Sequence, residues 1–60
     1  MGFLGTYAVG RESFMLFDVE RSSRPLEVRK PSGQVVARYA ELWQAQAFIE
    51  RVRAARFGNI

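Results

Sequence analysis

Sixty residues with no histidine and no cysteine make at most one small domain, and they rule out a thiol nucleophile, a redox pair and a disulfide. The commonest general base near neutral pH is missing, and a zinc site is not expected, because such sites draw mainly on Cys and His. Eight arginines and one lysine against six acids give a net charge of +3, which suits an anionic partner such as nucleic acid and equally suits plain solubility.

A chain this short buries only about 60% of the surface its unfolded form exposes, so without a disulfide or metal it needs dense packing or a partner subunit. Hydrophobic content of 48% with eight aromatic residues argues for a packed core rather than disorder. No apolar run approaches the roughly 18 residues of a membrane-spanning helix. The opening Met1-Gly2-Phe3-Leu4-Gly5 lacks the basic n-region and long apolar stretch of a secretory signal. The expected setting is the cytoplasm, with no membrane partner.

The first run with strand character covers about residues 3–9 and is weakened by Gly5; Gly10-Arg11-Glu12 can turn it back onto a second strand at about 13–20. That second run is the strongest, since Phe14-Met15-Leu16-Phe17 followed by Val19 is β-prone on both faces. The basic, Ser-containing stretch Arg21-Ser22-Ser23-Arg24 makes a looser connection to a third strand at about 25–30. Lys30-Pro31-Ser32-Gly33 is the clearest local signal: proline presets φ at the second turn position and Gly33 can adopt the left-handed conformation that closes a hairpin. It predicts antiparallel pairing with a fourth strand at about 34–39.

From about residue 40 to 57 the period changes. Leu42, Ala45, Ile49 and Val52 recur at spacings of three and four, Phe48 and Ala55 widen the stripe, and good helix formers fill the gaps. Gly58-Asn59 supplies a stop, whereas Arg38, Tyr39 and Ala40 offer no capping oxygen for the start. The expected fold is a single α+β domain over residues 1–60: a small antiparallel β-meander of three or four strands, followed by one C-terminal amphipathic α-helix packed on the sheet. Alternation assigns Met15, Phe17, Val19, Leu26, Val28, Val35, Ala37 and Tyr39 to the helix-covered face.

The opposite face would then show Phe14 and Leu16, Glu27 and Arg29, Val36 and Arg38. A mixed apolar and arginine face fits nucleic-acid contact, with Arg29 and Arg38 on phosphates or base edges and Phe14 as a stacking surface. The loop residues Arg21 and Arg24, with Lys30 nearby, would add phosphate contacts. The same face also fits a homodimer or a protein partner, built on Phe14, Leu16 and Val36. Trp43 lies off the main helical stripe and is either part of such an interface or folded over the sheet edge beside Tyr7 or Tyr39. Arg51, Arg53 and Arg56 spread around the helix, and their service to the helix dipole explains them without a ligand.

Catalysis finds little support. The acids are scattered, Asp18 and Glu20 share a predicted strand face but no cleft, and neither a GxxxxGK[ST] nor a GxGxxG phosphate loop is present. The expected protein is a non-enzymatic binding module with no cofactor, metal or small-molecule substrate. Its leading reading is a nucleic-acid-associated regulator using Arg21, Arg24, Arg29, Lys30 and Arg38. The alternative is a homodimeric or protein-partner module, an adaptor or inhibitor, using Phe14, Leu16, Val36 and Trp43. The strand–turn–strand–helix run from Leu26 to Arg53 is a common design in small proteins, and a design carries no function.

Overall fold

Four strands and a helix follow one another in the computed structural model, which describes residues 2–57: β1 (Gly2–Val9), β2 (Glu12–Asp18), β3 (Leu26–Arg29), β4 (Val35–Tyr39) and α1 (Leu42–Phe57). The strands form one antiparallel meander in the order β1-β2-β3-β4, and the helix packs on it. The expected α+β fold is therefore the observed one. The predicted stop at Gly58-Asn59 lies outside the described residues. No described helix is long and apolar enough to cross a membrane.

Short turns dictate the meander. Gly10 has φ 62° while Arg11 is not in the positive-φ region, the pattern of a two-residue type II′ hairpin turn between Val9 and Glu12. In the β3–β4 turn, the Gly33 amide donates to the Lys30 carbonyl at 2.8 Å, and the Lys30 amide donates to the Gln34 carbonyl at 2.9 Å. Gly33, at φ 96°, takes the left-handed position that the sequence assigns to it. The longer β2–β3 connection is tied at its base, where the Val19 amide donates to the Pro25 carbonyl at 2.7 Å.

The helix begins at Leu42 rather than at residue 40, and its start is capped from inside. Gln44 Oε1 accepts the Glu41 amide at 3.0 Å, so the third helical residue reaches back to the cap position as in one half of a capping box. The residues before the helix, Arg38, Tyr39 and Ala40, give no sign of this cap, because the reciprocating side chain lies downstream.

Cross-strand register shows which faces the sheet buries. Leu16 stands opposite Val28, and Phe17 opposite Glu27. Val28 faces the helix and is fully buried, so Leu16 and its i−2 neighbour Phe14 are buried with it. The predicted face of β2 is thus reversed: Phe14 and Leu16 are core, and Met15 and Phe17 lie on the far side. Phe14 meets Phe48 of the helix edge-on, ring centroids 6.0 Å apart. The core is Val9, Phe14, Leu16, Leu26, Val28, Ala45 and Ile49, with Tyr7, Val36, Ala37, Tyr39, Phe48 and Val52 packed around it.

Two bulges complete the correction. The register slips between Val28 and Arg29, so that Arg29 faces Val35 while Val28 faces Ala37. Val36 is the extra residue, and it packs against the core in place of Val35. A second slip between Phe3 and Gly5 makes Leu4 the extra residue of β1. Leu42, placed by the sequence on the buried stripe, is 44% exposed.

The helix crosses the sheet diagonally. Gly2, Asp18, Leu26 and Tyr39 form one row across the four strands, and the helix starts three residues beyond Tyr39. Its far end reaches the β1–β2 turn, where Arg53 Nη2 donates to the Ala8 carbonyl at 3.2 Å and Arg56 pairs with Glu12 at 2.6 Å. Phe3, Leu4, Leu42 and Trp43 are the four exposed large apolar side chains among the described residues.

Because Leu16 is enclosed and Met15 is only half-buried, Leu16→Ala lowers unfolding free energy by about 2–5 kcal/mol. Met15→Ala costs much less. Urea denaturation of the two variants checks this, and equal losses would refute the observed face assignment.

Candidate functional site

The far face of the sheet is organised around one carboxylate. Glu27 is only 6% exposed although the helix does not cover it. Its cover comes from cations: Arg29 donates to Glu27 Oε1 through Nε at 2.9 Å and Nη2 at 2.5 Å. Arg38 Nε stands 3.3 Å from Oε2. The Arg29 guanidinium also lies 4.8 Å from the centre of the Phe17 ring, and Phe17 packs on Phe3 with centroids 5.4 Å apart. The row Phe3, Phe17, Arg29, Glu27 and Arg38 is a cation–π and ion-pair ladder across strands.

This ladder changes the standing of the predicted phosphate contacts. Arg29 is half-buried and spends its fork on Glu27, so it offers little to a ligand. Arg38 keeps an exposed side chain, 57% accessible, with one long contact to the same carboxylate. Phe14, the predicted stacking surface, is buried under the helix, and Leu16 with it. Neither can serve as an exposed protein interface, and Val36 is half-buried against the core. Asp18 closes β2 and Glu20 falls in the turn beyond it, so the two acids do not share a strand face.

The remaining predicted cations are divided. Lys30 lies at the β3–β4 turn, in a shallow groove with Arg11, Glu12, Ser13, Phe14 and Pro31. Arg21 is exposed in the β2–β3 loop at φ 69°, a left-handed conformation that costs an arginine about 1 kcal/mol. Arg24 is exposed beside it, with its amide 3.2 Å from Ser22 Oγ, and it faces a different groove from Lys30.

Arg24, Arg38, Tyr39, Ala40 and Gln44 line that groove along β4. It adjoins a second groove lined by Tyr39, Trp43, Gln44, Ala47 and Arg51, and the two share Tyr39 and Gln44. Together they place three arginines and two aromatic rings along β4 and the first ten residues of α1, with no carboxylate in their lining. Trp43 is 66% exposed and does not fold over the sheet edge. Tyr39 is held by Phe48, centroids 6.2 Å apart, and its hydroxyl lies 3.5 Å from Arg51 Nη2.

Arg51 is the residue that the sequence pattern hides. In the sequence it groups with Arg53 and Arg56, yet these two are paired, Arg53 with Glu50 at 2.6 Å and Arg56 with Glu12. Arg51 makes no ion pair among the described residues. The signal that could have found it is spacing: Trp43, Ala47 and Arg51 are four apart and share one helix face. Among the described residues no group of three or more His, Cys, Asp or Glu side chains gathers closely enough to hold a metal ion. Comparison of the chain with protein families, with curated proteins and with solved structures returns no match.

Removing the carboxylate tests the ladder. Glu27→Gln leaves two arginines facing each other without a counter-charge. It should lower stability by about 1–3 kcal/mol, read by denaturation, with a milder loss at high salt where the repulsion is screened. An unchanged midpoint would show that the ladder contributes nothing.

Proposed function

We propose that the protein is a non-enzymatic nucleic-acid-binding module whose working surface is the joined groove along β4 and the first ten residues of α1. The observation that carries this reading is the composition of that groove: Arg24, Arg38 and Arg51 surround Tyr39 and Trp43, and no acid lines it. A polyanion gains from such a surface by releasing its counterions, and the exposed Trp43 ring offers base stacking that an inorganic anion could not use. Relative to the sequence-based reading, the contact surface moves from the open sheet face to the sheet's β4 edge. Arg24 and Arg38 stay, Trp43 joins them as the stacking ring in place of Phe14, and Arg51 is added. Arg29 becomes a support for Arg38 through their shared Glu27. Arg21 and Lys30 are peripheral.

A second reading, association of two copies, is favoured by one observation. Strand β1 is an edge of the sheet with no charged residue and no proline over Gly2–Val9, and its Phe3 and Leu4 are about half exposed. An edge of this kind, interrupted only by the bulge at Leu4, can template further strand pairing. The Arg53 contact to the Ala8 carbonyl occupies only the far end of the strand. On this reading the protein sediments as a dimer at micromolar concentration and Leu4→Lys returns it to a monomer; a wild-type monomer in the same run removes the reading.

For the leading proposal the test is a titration of labelled oligonucleotides at several salt concentrations. Affinity falls steeply with salt, and Arg24→Ala combined with Arg38→Ala reduces the log–log slope by about 1.4–1.8, since each phosphate that is no longer neutralised removes about 0.7–0.9. Arg11→Ala removes one positive charge from the other end of the sheet and leaves the slope nearly unchanged. No binding at low salt, or an equal effect of Arg11→Ala, refutes the proposal.

A further inference from the structure

We infer that the ligand is single-stranded, and that one unpaired base enters the notch between Trp43 and Arg51 over Ala47. This rests on the nucleic-acid reading above and names the form of nucleic acid that the same groove selects.

The notch follows from helix geometry. Trp43, Ala47 and Arg51 succeed one another on one face, and eight residues at ~1.5 Å each set the outer two about 12 Å apart along the axis. Ala47 fills the interval with a single methyl group and is exposed. The space between the indole and the guanidinium is therefore open to solvent above that methyl, with Tyr39 and Gln44 as its side wall. Tyr39 is the fixed part of that wall, since it packs on Phe48 and its hydroxyl stands 3.5 Å from Arg51 Nη2. An unpaired base, about 3.4 Å thick in a stack, fits within this opening against the Trp43 indole, with the Arg51 guanidinium at the far end of the notch; both groups interact favourably with nucleobases.

Strandedness follows from what each nucleic acid can present. In a duplex the base faces are covered by their neighbours and only their edges reach the grooves. The Trp43 ring, 66% exposed, finds a π partner only on an unpaired base. The Arg24 and Arg38 side of the groove then takes the backbone as it leaves the notch. Gln44 contributes little sequence preference: its Oε1 is occupied by the Glu41 amide at 3.0 Å. Its remaining NH2 can donate to an acceptor that every base carries.

The decisive variant fills the notch without touching a charge. Ala47→Leu sits at an exposed helical position and leucine is a good helix former, so folding is retained and is checked by circular dichroism. Wild type and variant are titrated with a mixed-sequence single-stranded DNA and with the duplex of the same sequence, reading probe anisotropy and Trp43 emission. The expected result is a preference of about tenfold or more for the single strand, quenching of Trp43, and loss of both in Ala47→Leu. Equal binding of single strand and duplex, or a preference that survives Ala47→Leu, overturns this inference while leaving the nucleic-acid reading in place. Failure of wild type to bind either probe at low salt overturns both.

Discussion

The pairing of Leu16 with Val28 across the β2–β3 ladder is the contact on which the remaining structure depends. Strand β2 is apolar at Phe14, Met15, Leu16 and Phe17, so either of its faces could have been buried. A shift of one residue would exchange them. With Leu16 opposite Val28, Phe14 and Leu16 go under the helix and Phe17 comes to rest beside Glu27 and Arg29. The buried core and the composition of the open sheet face are both consequences of that one register.

The side chains of the open face are largely engaged with one another. Its aromatic pair, Phe3 and Phe17, its half-buried Arg29 and its covered Glu27 satisfy one another. A carboxylate holding two guanidinium groups leaves little free charge to attract a polyanion. What the sheet face loses, its β4 edge keeps. Arg38 extends outward from the ladder, Arg24 approaches from the loop, and the first ten residues of the helix bring Trp43 and Arg51 alongside. The diagonal of the helix matters here, because it packs Ala45, Ile49 and Phe48 inward and turns Trp43, Ala47 and Arg51 outward beside Tyr39.

Much of the fold is legible in the chain. The helix announces itself through its three- and four-residue spacing, and the β3–β4 hairpin through Pro31 and Gly33. The meander order follows from short connections that leave no room for a crossover. The face of β3 is also readable, since Leu26 and Val28 alternate with Glu27 and Arg29. The candidate site is less so. Arg24, Arg38 and Trp43 stand out in the sequence, but on separate surfaces, and Arg51 is masked by two neighbours whose charges are in fact paired. Nothing in a linear pattern distinguishes an arginine held by Glu50 or Glu12 from one left in a groove.

The sequence by itself determined the kinds of element, their order and their turns, because these depend on local preferences: proline and glycine at φ-restricted positions, helical periodicity, β-branched and aromatic runs. It also determined what chemistry is missing, since a chain without histidine or cysteine cannot supply their reactions. Tertiary structure alone decided which face of β2 is core, where the bulges at Leu4 and Val36 fall, and which arginines are neutralised. Each of these depends on partners distant in the chain, and a strand apolar on both faces carries no local information about which side will meet the helix.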